Sequence, residues 1–247
     1  MWAATTAIID RFGLPEARKS LVNKIRSQFN VPSKGVVFVF ERGDYRNFPN
    51  ATWRPTAVHL NIQVGGMEEI SPEHILGLMK SKEYSNLIWL SKQACEDRDI
   101  WFSWILAHEL RHLEQDLQSH TLSRAGHFLN RALARINIEE PKIQNTIPTE
   151  LDANLKAWRV VRKVFGAEVA DAHVKNESTT GQDKQSFRIL MSHGSEKAYD
   201  VLSCTISLLR KYQSPLEELQ KESKDHFVAT FDIGAVCAEL DRVRNNR

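Results

Sequence analysis

The sequence predicts an α+β protein, with a small amino-terminal sheet followed by an all-helical carboxy-terminal part. Runs of β-branched and aromatic residues, which favour strands, cluster before residue 92. After residue 98 the apolar residues recur at helical spacing instead. Strands first and helices afterwards is an order typical of the α+β class. The 247 residues, of which 42% are hydrophobic, also supply enough apolar side chain for a core and exclude a disordered chain.

The first part of the chain predicts a helix and three strands. Apolar side chains recur at helical spacing over residues 5–29, with a break near the middle. Continuous or alternating β-branched and aromatic residues predict strands over residues 36–41, 57–64 and 86–91. His59 lies on the polar face of the second strand, which is therefore expected to be half-buried. The segments between the strands predict a loop over residues 44–55 and a helix over residues 71–82.

The longest predicted helix spans residues 99–119. Its segment Trp101–Leu106 is strongly apolar, which indicates a buried helix. The other predicted helices of the second half span residues 124–135, 148–165, 187–211, 215–223 and 232–244. Uniformly polar residues predict a mobile loop over 175–186. We expect residues 1–174 to form one domain with a helical extension, residues 175–247, packed on it, or both parts to form a single domain.

Charge and cysteine content limit the partners and the compartment. The 33 Lys and Arg residues nearly balance the 31 Asp and Glu residues, so the net charge of +2 does not favour a nucleic-acid partner, and we do not expect one. The three cysteines are far apart and odd in number, which is typical of a reducing compartment. The sequence has no apolar run long enough for a transmembrane helix, and its start lacks the basic segment of a signal peptide. We therefore expect a cytoplasmic protein without a membrane partner, whose oligomeric state the sequence leaves open.

The sharpest motif is His108-Glu109-Leu110-Arg111-His112, an HExxH sequence inside the long predicted helix. Histidines at positions i and i+4 lie on one face of a helix, so their imidazoles can share one Zn²⁺ at about 2.0–2.1 Å. Glu109 is placed to accept a proton from water at the metal, as a general base. Burying these three side chains on an apolar helix is costly unless a metal ion pairs with them. The alternative is that both histidines are surface residues and that Glu109 forms helical salt bridges.

A zinc site built on two histidines needs a third protein ligand, and Glu150 is the best source. It opens a predicted helix after Pro148, and Asn154, one turn later, shares its face. The Asn154 amide oxygen could accept a hydrogen bond from a ligating histidine. Asp152 is the rival ligand, but it points away from Glu150, so both cannot bind one ion. Alternatively, Glu150 is a carboxylate that the helix dipole favours at a helix start.

Together these motifs resemble those of the gluzincin metallopeptidases, most of all the ImmA/IrrE group. That group carries HELGH on its active-site helix and an E-x-[E/D]-A-N pattern on the helix of its third ligand. The matching segments here are Ala107–His112, with Arg111 in place of the glycine, and Glu150–Asn154. The resemblance covers about residues 85–160. It implies a zincin-like active-site helix, cytoplasmic cleavage of regulatory proteins, Glu109 as general base, and the zinc ligands His108, His112 and Glu150.

The sequence therefore predicts a zinc metallopeptidase that hydrolyses peptide bonds of a protein substrate. Glu109 would accept the proton of the attacking water and deliver it to the leaving amine. A further residue should stabilise the oxyanion, and the candidates are Arg111, His120, His127 and His193. The strand over 86–91 is a candidate edge for pairing with an extended substrate. Two alternatives stay open: a non-catalytic binding or regulatory module that keeps the zinc fold, and a hydrolase of non-peptide amides.

Overall fold

The structure, a computed structural model, describes residues 7–32, 34–42, 57–61, 77, 84–133, 135–136, 147–181 and 184–246. Within these ranges the chain has the predicted α+β class: four strands precede residue 91, and ten helices follow it. The loop predicted over 44–55 lies outside the described residues, as does the helix over 71–82 apart from Gly77, which is helical. In the described part of the chain, no helix combines the length and the apolar character needed to cross a membrane.

Four short strands form one mixed sheet. They are β1 (Ala7–Asp10), β2 (Val36–Phe40), β3 (Ala57–Asn61) and β4 (Asn86–Leu90). The strand order is β1-β2-β4-β3, in which β1, β2 and β4 run parallel and β3 pairs antiparallel with β4. The three predicted strands are thereby confirmed within the described residues, the second as far as Asn61.

The two inner strands carry the core of the sheet. Every residue of β2 and β4 is buried, as expected for central strands that are covered on both faces. β4 is paired on one side by β2 and on the other by β3. The prediction that residues 86–91 form an edge for substrate pairing is therefore wrong.

The predicted amino-terminal helix is confirmed only in its second half. Residues 7–10 form strand β1, and helix α1 spans Glu16–Arg26. The strand contains two β-branched isoleucines and pairs in register with β2 over its full length. The Asp10 carboxylate then accepts hydrogen bonds from the main-chain N–H groups of Gly13 and Leu14, which closes the turn toward α1. The partner strand, and not the local spacing of apolar residues, decides the conformation here.

Ten helices follow the sheet in the part of the chain that the structure describes. They are α2 (Lys92–Glu96), α3 (Asp99–Gln118), α4 (His120–Leu133), α5 (Pro148–Phe165), α6 (Ala167–Thr180), α7 (Lys184–His193), α8 (Val201–Lys211), α9 (Gln213–Glu222), α10 (His226–Ala229) and α11 (Ile233–Asn245). The helices predicted over 99–119, 124–135, 148–165, 215–223 and 232–244 are confirmed as α3, α4, α5, α9 and α11, with small differences at their ends. The short helices α2 and α10 are not predicted by the sequence.

Two predictions for the segment after residue 174 are wrong. The described residues of the predicted loop 175–186 belong mostly to the end of α6 and the start of α7, and the helix predicted over 187–211 is divided into α7 and α8. In α6 the hydroxyls of Ser178 and Thr180 donate to main-chain carbonyls of the preceding turn, so these polar side chains are satisfied within the helix. Gly194, with φ of 74°, ends α7 in the left-handed conformation that glycine adopts readily.

Spatial proximity divides the chain into two compact units that are discontinuous in sequence. The first comprises residues 1–114 and 156–170, and the second comprises residues 115–155 and 171–247. The first unit contains the sheet. The second has a helical core of its own, in which the rings of Phe128 and Phe231 stack with centroids 4.0 Å apart. The predicted division into residues 1–174 and a helical extension, residues 175–247, or a single domain, stays a prediction.

Candidate metal centre

Helix α3 carries the HExxH motif in its interior. Apolar side chains on both sides of the motif are fully buried, namely Phe102, Leu106, Ala107 and Leu113. The predicted burial of this helix is therefore confirmed. His108 and His112 are half-buried, and Glu109 is 8% exposed. This placement does not match the alternative in which the motif lies on a solvated surface.

His108, His112 and Glu150 come together. The Nε2 atoms of the two histidines are 2.9 Å apart, and their rings meet at an interplanar angle of 81°. Glu150 stands in the first turn of α5. One ligand atom from each of the three residues lies within 4.8 Å of the other two. Among the described residues, no second group of three histidine, cysteine or carboxylate side chains is this close.

The donor set fits a zinc ion. Two imidazole nitrogens and one carboxylate oxygen are a known ligand set of catalytic zinc sites, in which water takes the fourth position. The two Nε2 atoms, 2.9 Å apart, are close enough for both to bind one ion. Without a metal ion, one ring would have to donate an N–H hydrogen bond to the other. The carboxylate beside both rings favours positive charge at this point, which a divalent cation supplies.

Asp152, the rival ligand, is not part of the cluster. It is 4% exposed, and its Oδ2 accepts a hydrogen bond from Nε2 of Gln115 at 2.8 Å. The structure thus brings Glu150, and not Asp152, to the two histidines. Asn154 is half-buried on the same helix, and its hydrogen bond to a ligating histidine stays a prediction.

Glu109 is held by the sheet. Its Oε2 accepts a hydrogen bond from the main-chain N–H of His59 in β3, at 2.7 Å. The His59 ring is buried, with its Nε2 3.0 Å from Oδ1 of Asn86 in β4. Neither His59 nor Asn86 is predicted as a site residue. A histidine on the polar face of an alternating strand is the one signal that could have pointed to His59, whereas nothing in the sequence distinguishes Asn86.

Arg111, within the motif, is paired with Glu114. Its Nη1 lies 2.9 Å from Oε2 of Glu114, whose Oε1 accepts the main-chain N–H of Asn30 at 2.9 Å. Nζ of Lys156, on α5, is 3.9 Å from the same carboxylate. Burial lowers the pKa of Lys156, and the nearby Glu114 carboxylate opposes that shift. The Glu114 carboxylate on α3 thus faces Lys156 on α5, and an oxyanion role for Arg111 stays a prediction.

The histidines predicted as oxyanion candidates lie outside α3. His120 begins α4, where its Nδ1 is 3.0 Å from a carboxylate oxygen one turn earlier, and His127 is exposed on the same helix. His193 ends α7, and its ring packs edge-on against Tyr199 with centroids 5.6 Å apart. Burial raises the pKa of Tyr199, so this phenol stays protonated. An oxyanion role for any of the three histidines stays a prediction.

Replacing Glu150 by alanine should weaken zinc binding by more than about 100-fold, because loss of an outer-shell partner alone costs about 10–100-fold. The affinity is measured by competition with a chromophoric chelator at neutral pH. Glu168→Ala is the matched control, since Glu168 is also a carboxylate in the first turn of a helix, α6, but is exposed. Equal zinc affinities of the two variants would mean that Glu150 is only a helix-start carboxylate.

Comparisons with known proteins identify no relative of this chain. No family model matches it, and comparison with curated proteins and with solved structures gives no match.

Proposed function

We propose that this protein is a zinc-dependent metallopeptidase of the gluzincin type, which hydrolyses peptide bonds of a protein or peptide substrate. One observation carries the proposal: the ligand atoms of His108, His112 and Glu150 lie within 4.8 Å of one another. Imidazole and carboxylate donors in this number favour zinc over harder cations, which prefer oxygen ligands. A zincin-like role for α3, kinship with the ImmA/IrrE group and a cytoplasmic location belong to the same proposal.

The three clustered side chains and Glu109 would have different roles in the reaction. His108, His112 and Glu150 would hold the ion. Zinc, when bound, supplies the Lewis acidity that lowers the pKa of water toward neutrality and polarises a carbonyl group. Glu109 accepts the proton of the attacking water and later delivers it to the nitrogen of the leaving amine. The carboxylate therefore ends the cycle in the ionised state in which it began.

The hydrogen bond from β3 prepares Glu109 for this role. A main-chain N–H at 2.7 Å from Oε2 restricts the rotation of the carboxylate. His59 is itself held in position, because Nε2 of its ring lies 3.0 Å from Oδ1 of Asn86 on the neighbouring strand. A base that is already oriented loses less entropy when the substrate arrives. His59 thus supports the proposed base directly, and Asn86 supports it through the His59 ring.

An extended substrate would add to the sheet at β3. β4 is paired on both edges, whereas β3 stands at the end of the strand order among the described strands. The main-chain N–H of His59 contacts Glu109, so a peptide aligned with β3 would lie beside the proposed base. Main-chain hydrogen bonds would then supply affinity that depends little on the side chains of the substrate.

Cleavage of an unfolded protein tests the proposal. The zinc-loaded full chain is incubated with reduced, alkylated casein, and new amino termini are identified by mass spectrometry. We expect cleavage that 1,10-phenanthroline abolishes and that added zinc restores. Stoichiometric zinc without cleavage of any peptide would overturn the peptidase and favour a non-catalytic binding module. Turnover confined to non-peptide amides would favour an amide hydrolase.

A further inference from the structure

A buried glutamine side chain lies one turn beyond the second histidine of the motif. Gln115 is three residues after His112 on α3 and is 1% exposed. Its Nε2 donates to the main-chain oxygen of Thr149 at 2.9 Å and to Oδ2 of Asp152 at 2.8 Å. The amide group has two hydrogens, so each of these acceptors can receive its own hydrogen bond.

The two acceptors flank Glu150 in the sequence. Thr149 immediately precedes it and Asp152 follows two residues later, and these acceptor residues are 3% and 4% exposed. The Gln115 side chain thus hydrogen-bonds to the first turn of α5 on both sides of Glu150, the third residue of the metal cluster. Hydrogen bonds in such a buried place are costly to break, because the acceptors have no water to replace the lost donor.

Helix α4 fixes the same turn from another direction. A Cβ atom built on Gly126 would lie 2.4 Å from Oγ1 of Thr149, so only glycine lets α4 approach this closely. Thr149 is therefore packed by α4 and hydrogen-bonded by α3. The segment that carries Glu150 has little freedom to shift along or around its axis.

We propose that Gln115 is a positioning residue for the metal ligand Glu150. Its amide fixes the height and rotation of the first turn of α5, so that the Glu150 carboxylate stays within reach of His108 and His112. The inference rests on the zinc site proposed above and adds to it a determinant of metal affinity outside the ligands. Outer-shell groups of this kind orient ligands and govern affinity in zinc sites.

The test compares zinc affinities of folded variants, with no substrate involved. Gln115→Leu removes both hydrogen bonds with little change of volume and should lower zinc affinity about 10–100-fold. It should also alter the visible absorption of bound Co²⁺, which reports coordination geometry. Thr205→Val is the control, because Thr205 is fully buried in α8 and its hydroxyl donates to the main-chain oxygen of Val201 in the same helix. This control should lose stability and keep the wild-type zinc affinity and Co²⁺ spectrum.

A second pair of variants tests the positioning role of Gln115 if Gln115→Leu does not fold. Gln115→Glu removes the donor, and the double variant Gln115→Glu/Asp152→Asn restores one hydrogen bond with donor and acceptor exchanged. The double variant should bind zinc more tightly than Gln115→Glu alone. Wild-type affinity in Gln115→Leu, or no recovery in the double variant, would overturn the positioning role. A wild-type chain that binds no zinc would instead overturn the proposed function itself.

Discussion

Replacement of Glu109 by glutamine will leave zinc bound and lower the rate of peptide cleavage by about 10²–10⁴-fold, the usual contribution of a general base. Glutamine has nearly the shape of glutamate, and its amide oxygen can still accept the N–H of His59 that now lies 2.7 Å from Oε2. The amide cannot take a proton from water at neutral pH. Chemistry is therefore lost while the fold and the metal cluster persist, which zinc content and rate measured on the same preparation will show.

Glu41→Gln is the matched control for the loss of a buried carboxylate. Glu41 follows β2, is 3% exposed, and its Oε1 lies 3.5 Å from Nε of Arg11. Its replacement should lower the free energy of unfolding and leave the cleavage rate per bound zinc unchanged. Cleavage by the Glu109→Gln variant at the wild-type rate would show that another group acts as the base.

The proposed ligands could be predicted because their placement depends on local geometry. Once residues 99–118 form a helix, the spacing of His108 and His112 alone puts both imidazoles on one face. Glu150 could also be predicted from local sequence, because it lies just after Pro148 at the start of a helix. The choice between Glu150 and Asp152 as third ligand needed the structure. The hydrogen bond that holds the Asp152 carboxylate comes from Gln115, on a different helix.

The residues that support the site could not be predicted, because their contacts join distant parts of the chain. His59 reaches Glu109 across 50 residues, and Gln115 reaches Asp152 across 37. No periodicity or local motif reports such a pairing. The wrong helix over residues 7–10 has the same cause: the apolar spacing fits a helix, and only the pairing with β2 makes this segment a strand.

Replacement of His112 by alanine will remove zinc from the purified protein, from about one ion per chain to less than about 0.1, since a site with only two protein ligands holds zinc poorly. Metal content is measured by inductively coupled plasma mass spectrometry after dialysis. His226→Ala is the control: His226 is exposed in the short helix α10 and should leave the zinc content unchanged. Zinc retained by His112→Ala would exclude this histidine from the metal site.

Chelation then distinguishes between two interpretations of the histidine pair, whose Nε2 atoms are 2.9 Å apart. The rings share either a metal ion or only a proton. An ion that binds only the folded state stabilises it by about 2.7 kcal/mol when its free concentration is 100 times Kd. A chelator should therefore lower the unfolding free energy of the wild type by this order and leave that of His112→Ala unaltered. If the two rings share only a proton, the wild type has no ion to lose, and the chelator will leave both proteins equally stable. The difference in chelator response, and not the loss of stability caused by the substitution itself, identifies what lies between the two imidazoles.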